Sequence, residues 1–140
     1  MVEGRPTLVL DAGGYVALGI GDASAAAWYR RAIDNDWDII LPVEVIAEVV
    51  RRPMAKGVRD WQRRVLGLVH RVVSPSAADA VLAGALMAQA GGDDAVDAFV
   101  AVAALRAVPA VILTSDPSDL RALLDTQADG SRVAVVRVDN

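Results

Sequence analysis

The sequence predicts an α/β domain built on a mostly parallel central sheet with helices on both faces. Three observations carry that expectation. Short apolar runs at residues 7–10, 38–41 and 110–114 have the length of buried strands. Between them lie longer stretches of helical periodicity, opened by Asp, Ser or Pro and closed by Gly or Pro. Strands that alternate with helices need crossovers rather than hairpins, which gives a parallel sheet joined with a right hand.

Taken in order, Thr7 to Leu10 reads as the first strand, and Asp11 can cap a helix over about Ala12 to Leu18. Gly19-Ile20-Gly21-Asp22 breaks the chain. Ser24 is placed to cap a second helix reaching about Asn35, with Trp28 and Ile33 as core contacts. Asp38 to Leu41 is the second strand. Pro42 suits the first turn of the following helix, where its missing N–H is harmless, and that helix stops at Arg52 before Pro53. Arg59 to Leu68 is helical, with Trp61, Val65 and Leu68 spaced three and four apart. Arg71 to Val73 is a weak strand. Ser74-Pro75 opens a helix that Gly91-Gly92 ends, and Asp93 or Asp94 caps a very apolar helix reaching Ala107. Ala110 to Thr114 is a strand, Pro117 to about Leu124 a helix, Asp129-Gly130 a turn, and Val133 to Val138 the last strand.

At 140 residues, with 54% hydrophobic and 23% charged residues, the chain reads as one domain over 1–140 with a substantial core. One Phe and two Tyr are too few for an aromatic platform along a single strand of bases. The absence of cysteine excludes disulfides and thiolate metal sites and suits the cytoplasm. No basic segment precedes the first apolar run and Asp11 interrupts it, so no signal peptide is expected. The most apolar helix, Ala95 to Leu105, is too short to span a bilayer. Net charge is −4, which gives no general attraction for nucleic acid. Between Arg51 and Arg71, however, seven basic residues (Arg51, Arg52, Lys56, Arg59, Arg63, Arg64, Arg71) face Asp60 alone. That strip sums to +6 and leaves −10 for the rest. It is either a solvated helix face or a surface for a polyanion.

Four acids stand where apolar elements should deliver them to one place. Asp11 follows the first strand and Asp116 follows Val111-Ile112-Leu113-Thr114-Ser115, so both lie where ligands bind in open α/β sheets. Either acid can also be a helix cap. Glu44 and Glu48 share a helix face at i, i+4. Glu48 sits among Val45, Ile46, Val49 and Val50, and surface pairing with Arg52 and metal ligation are both open to it. Asp97 interrupts Ala95-Val96-Asp97-Ala98-Phe99-Val100-Ala101, a helix apolar all round and therefore buried. Asp94, one turn earlier, is a second ligand or a cap. Carboxylates held 5–6 Å apart repel by about 3 kcal/mol per pair at an effective dielectric near 20. Mg²⁺ or Mn²⁺ removes that repulsion and brings phosphoryl-transfer chemistry. His70, the sole histidine, reads as structural. The glycines at 13, 14, 19 and 21 make neither a dinucleotide fingerprint nor a P-loop.

The order Leu-Asp-Ala-Gly (10–13), Ala-Glu-Val-Val-Arg (47–51), Asp-Ala-Phe-Val-Ala-Val-Ala (97–103) and Leu-Thr-Ser-Asp (113–116) resembles the PIN-domain ribonucleases, most closely the VapC-type toxins of toxin–antitoxin pairs. The likeness spans nearly the whole chain. It implies a PIN-like three-layer α/β/α fold and a metal-dependent endoribonuclease, the toxin of a type II pair. It also implies an RNA substrate, a homodimer and a cognate antitoxin protein. By motif the family's acids fall on Asp11, Glu48, Asp97 and Asp116, as catalytic residues and ligands of Mg²⁺ or Mn²⁺. Asp119 matches a further acid and, with Asp94, is accessory. Thr114 and Ser115 match small hydroxyl residues that hold a carboxylate or water. Two departures stand out. Ala12-Gly13-Gly14 replaces the Ser or Thr common after the first acid, and the isoelectric point near 4.8 is low for an RNA-binding protein.

Three alternatives stand against this. A phospho-acceptor receiver-type domain also carries acids at strand ends, but it needs a lysine after a late strand, and the only lysine is Lys56. A haloacid-dehalogenase-type phosphatase needs Asp where Gly13 stands. A non-catalytic PIN-like binding module would have little use for an intact set of acids.

Overall fold

The computed structural model describes residues 4–51 and 64–139. Five strands form one sheet: β1 (Thr7–Leu10), β2 (Asp38–Pro42), β3 (Arg71–Val73), β4 (Ala110–Thr114) and β5 (Val133–Arg137). Their order is β3-β2-β1-β4-β5, and every neighbouring pair is parallel. Six helices surround the sheet: α1 (Ala12–Ile20), α2 (Ala23–Asp34), α3 (Val43–Val50), α4 (Ala77–Ala90), α5 (Ala95–Leu105) and α6 (Pro117–Leu124). A helical stretch at 64–68 and a 3₁₀ turn at Ala128–Arg132 complete the described elements. The chain steps outward from β1 to β2 and β3, then crosses back to β4 and β5. With right-handed crossovers, α1 to α3 fall on one face and α4 to α6 on the other. The result is a three-layer α/β/α fold.

Burial follows strand position. β1 and β4, at the centre, are buried at every residue, as expected of strands covered on both faces. β3 is a three-residue edge strand with Arg71 and Val72 exposed, a length and charge that discourage pairing with another chain. Among the described residues no helix is long and apolar enough to cross a membrane.

The predicted strands are all present, and most of the differences lie at helix ends. Pro42 does not open α3. It ends β2 and takes the cap position with φ −62° and ψ 135°, since its lack of an N–H is equally harmless there. α3 ends at Val50 rather than Arg52, and α4 begins at Ala77. Ser76 caps α4 through a reciprocal capping box with Asp79. Asp22 rather than Ser24 caps α2, accepting from the Ala25 N–H at 2.9 Å. Ile33 is 42% exposed, not core. Trp28 instead lies against Trp37, with the Arg31 guanidinium over both rings. Trp61 and the strip residues Arg52, Lys56, Arg59, Asp60 and Arg63 lie outside the described residues.

α1 meets β4 unusually closely. A Cβ on Gly13 would run into the side chain and backbone nitrogen of Ser115, and one on Gly14 into the carbonyl oxygen of Leu113. Backbone on both sides leaves nothing flexible to yield. Gly84, in the middle of α4, has open space around it. Gly14→Ala is therefore expected to destabilise the protein by about 1–3 kcal/mol through overpacking. Gly84→Ala should stabilise it by about 0.5–1 kcal/mol through helix propensity alone. Urea denaturation of the two variants beside the wild type checks both signs.

Candidate metal centre at the carboxyl ends of β1 and β4

The strand order sets the location. From β1 the chain turns one way and from β4 the other, so the crevice between their carboxyl ends is the topological switch point where open α/β sheets bind ligands. The register pairs Leu10 with Leu113, which brings Asp11 level with Thr114. The Asp11 backbone N–H donates to Leu113 O at 3.3 Å. Asp11 is 7% exposed, and its Oδ1 accepts from the Gly14 N–H at 2.8 Å. It is thus a helix cap, as the bland reading held. A carboxylate has about four lone-pair sites, so capping does not exhaust it.

Asp116 behaves differently. It precedes Pro117 at the start of α6 but makes no side-chain cap bond. Its backbone N–H donates to the buried Thr114 hydroxyl at 3.0 Å, and its Oδ1 accepts from Ser118 Oγ at 3.0 Å. Thr114 therefore shapes the turn that carries Asp116. Ser115 packs against Gly13, which gives the Ala12-Gly13-Gly14 departure a physical role: small residues let α1 close on the loop after β4.

Asp97 and Asp94 come from the start of α5. Asp94 is the N-cap, its Oδ1 accepting from the Asp97 N–H at 3.1 Å. Asp97 lies in the first turn, as a cap at Asp94 requires, and is only partly buried, less than its apolar surroundings implied. A carboxylate there is normally favoured by the helix dipole. Here burial pushes its pKa up from 3.8 to about 7, and Asp94, Asp11, Asp119 and Asp116 add repulsion in that order. Asp97 is the group on which the other carboxylates bear.

Glu48 enters from the last turn of α3. Arg51 grips it with two hydrogen bonds, Nε to Oε2 at 2.9 Å and Nη2 to Oε1 at 2.7 Å. The guanidinium pKa is raised by that contact and further by Asp94. Arg52, considered above as the partner of Glu48, lies outside the described residues. Arg51 was legible only as part of a basic strip. Its own backbone is helical, so it meets Glu48 three residues back on the same helix face.

One cleft is lined by Asp11, Glu48, Asp94, Asp97, Thr114, Ser115, Asp116 and Asp119 together, with Ala12, Gly13 and Val96 as its apolar wall. Its volume is about 190 Å³. That is room for an ion and several waters at ~30 Å³ each. Among the described residues no three acids or histidines stand close enough to enclose an ion by themselves. An all-oxygen donor set of this looseness fits Mg²⁺ or Mn²⁺, since Mg²⁺ takes one or two carboxylates and keeps several waters. His70 is elsewhere, before β3: its Nδ1 accepts from the Ile39 N–H at 3.2 Å, and its own N–H donates to Ile39 O at 2.8 Å. It is a structural residue.

The raised Asp97 pKa sets a pH dependence. Unfolded, the group loses its proton near pH 3.8; folded and without metal, near pH 7. Below about pH 4 both states are protonated and stability is intact. Above that, the fold must hold an anion among anions, so metal-free stability falls as pH rises to 7, by at most ~4 kcal/mol. Asp97→Asn is expected to remove this fall, matching the wild type at pH 4 and exceeding its stability at pH 8 in EDTA. Denaturant midpoints at the two pH values check it, and a variant weaker than wild type at pH 8 would make Asp97 a structural anion.

Comparison with known proteins agrees with this geometry. The family model for the PIN domain matches residues 8–125. Among solved structures, FitAcB from Neisseria gonorrhoeae superposes with a TM-score of 0.67 at 18% identity, over 94% of this chain and 97% of that one. PAE2754 from Pyrobaculum aerophilum superposes with a TM-score of 0.57 at 17% identity, over 88% and 86%. At those identities the likeness is one of fold. Comparison with curated protein sequences gives no match. PIN domains are in general metal-dependent nucleases. With more than half its length matched by the family model and its acids gathered at the switch point of an all-parallel sheet, this chain belongs to the PIN domain family.

Proposed function

We propose that this PIN domain is a Mg²⁺- or Mn²⁺-dependent endoribonuclease and the toxin of a type II toxin–antitoxin pair. One observation carries the reading: six carboxylates from the end of β1, α3, the start of α5, the β4–α6 turn and α6 line a single cleft, among them Asp97, whose pKa is raised first by burial and then by its acidic neighbours. Anions are not gathered at that cost unless a cation is to meet them.

Asp11, Asp97, Asp116 and Glu48 would hold the metal, one or two of them directly and the others through its waters, with Asp94 and Asp119 accessory to them. Bound there, the ion supplies a Lewis acid for the phosphoryl oxygen and lowers the pKa of water for attack on phosphorus. The chain's own residues prepare the site. The Gly14 N–H fixes Asp11, the Thr114 hydroxyl fixes the turn bearing Asp116, and Asp94 orders the first turn beneath Asp97. Arg51, which pairs with the cleft residue Glu48, would be free to meet a phosphate if Glu48 turned to a metal ion.

Exposed apolar residues support assembly with a second copy and with an antitoxin. Ile20 at the end of α1 is 57% exposed and Val50 at the end of α3 is 55% exposed, on helices that pack together. Val49, next to Val50 in α3, is wholly buried in the core and takes no part in that surface. An antitoxin that delivers an arginine to the acidic cleft would silence it by bidentate pairing.

The test is cleavage of RNA by the purified protein. Mg²⁺ or Mn²⁺ should support cutting and EDTA should abolish it. Asp11→Asn, Asp97→Asn and Asp116→Asn should each lose at least about a hundredfold. Metal binding without cleavage of any RNA would favour a non-catalytic module.

A further inference from the structure

A positive charge of the chain's own is bonded to one acid of the cleft. Arg51, the C-cap residue of α3, forks back onto Glu48, with Nε 2.9 Å from Oε2 and Nη2 2.7 Å from Oε1. An exposed pair at that spacing is ordinarily a minor helix contact. Two features set this one apart. The fork engages both oxygens of a side chain that lines the cleft and is only 21% exposed, whereas Arg51 itself is 68% exposed. The guanidinium pKa is also raised, first by the hydrogen bond to Glu48, then by the Glu48 charge, and further by Asp94, the N-cap of α5. Arg51 is thus within electrostatic reach of α5 as well as of its own helix. Glu48, for its part, stands somewhat aside from the other acids. Asp94, Asp11, Asp119 and Asp116 are the carboxylates that bear most on Asp97, and Glu48 is not one of them.

We infer that Arg51 is a latch on the metal centre: it competes with a divalent cation for Glu48, and a phosphodiester that draws it away gives the carboxylate to the metal. The inference rests on the metal-dependent ribonuclease reading and adds a coupling to it, in which RNA and metal each tighten the other's binding. The competition follows from charge. A carboxylate turned to a metal ion or its waters is a poorer acceptor, and a guanidinium beside the ion is repelled by it.

Phosphate is the partner to which the latch can turn, because the planar fork that fits a carboxylate also fits two phosphate oxygens. Arg51 uses two of its five N–H donors on Glu48, and with most of the side chain in solvent another can take a phosphate before Glu48 is released. A diester bound at a metal in the cleft lies beside Glu48, and so within reach of the residue bonded to it. By linkage, the factor by which the diester raises metal affinity is the factor by which metal raises affinity for the diester.

Isothermal titration calorimetry of Mn²⁺ into the purified protein tests the latch without cleavage. Arg51→Ala should bind Mn²⁺ about two- to fivefold more tightly than the wild type, the range set by removing one exposed ion pair as competitor. Arg51→Lys, which keeps the charge and loses the fork, should fall between them. In a Glu48→Gln background the gain from Arg51→Ala should vanish, because Arg51 then has no carboxylate to hold. Excess dimethyl phosphate should tighten Mn²⁺ binding to the wild type more than to Arg51→Ala. In the ¹⁵N-labelled wild type, Mg²⁺ should move the Arg51 Nε–H resonance toward that of an unpaired arginine. Weaker Mn²⁺ binding by Arg51→Ala would make Arg51 a support for Glu48 instead of its competitor. An equal gain in the Glu48→Gln background would reduce the effect to general charge repulsion, and equal effects of dimethyl phosphate on the two proteins would remove the coupling. An Nε–H signal unmoved at saturating Mg²⁺ would show that the pair does not open. Each of these four results overturns the latch and leaves the nuclease reading intact. A protein that shows the whole expected pattern but cuts no RNA keeps the latch and loses the nuclease reading, and one that binds no Mn²⁺ loses both.

Discussion

Electrostatic repulsion at the carboxyl end of a parallel sheet is the constraint on which this structure turns. Pairing β1 with β4 brings Asp11 and Asp116 to one crevice, and α5 adds Asp94 and Asp97 from the layer above. Each of those pairings is favoured by apolar burial in the strands and helices that carry the acids. The carboxylates are brought together by the packing of their neighbours, against their own preference, and Asp97 shows the result: burial first, and the other acids after it, raise its pKa. Such an arrangement is sustained by the core and relieved by a cation.

The acids also serve the fold that confines them. Asp11 caps α1, Asp94 caps α5, and the Asp116 backbone is held by Thr114. Capping and ligation are therefore not rival explanations. A side chain fixed by a backbone N–H is one whose remaining lone pairs have a defined direction, the preorganisation a metal site needs. The close contact of Gly13 with Ser115 and of Gly14 with Leu113 belongs to the same design, since any larger residue would push α1 and its capping acid away from β4.

Around this centre the positive charges are arranged sparingly. Arg51 is committed to Glu48, Arg71 to Asp38 and Arg106 to Asp79, so these exposed guanidiniums are each already paired with a carboxylate. Arg64 instead donates to the Gly19 carbonyl and fastens the stretch at 64–68 to the end of α1. The basic strip is thus divided between ion pairs and scaffold in the part described, which neither of its sequence readings anticipated.

The sequence by itself determined the fold class and the five strands, and it singled out acids that the fold brings to one cleft. Those features rest on local signals: apolar runs, capping residues, and carboxylates where burial makes them expensive. It did not determine the strand order, and so it could place Asp11 and Asp116 at strand ends without making β1 and β4 neighbours. That adjacency comes from crossovers between segments a hundred residues apart. Nor could it separate Glu44 from Glu48. Helical periodicity put both on one face, whereas the packing of α3 against α5 gave Glu48 to the acidic cleft and buried one oxygen of Glu44. Helix ends were read to within a few residues, and Pro42 was misassigned because its φ suits the last residue of a strand as well as the first of a helix. Local chemistry can be read from neighbours in the chain, but which carboxylates repel one another depends on neighbours in space.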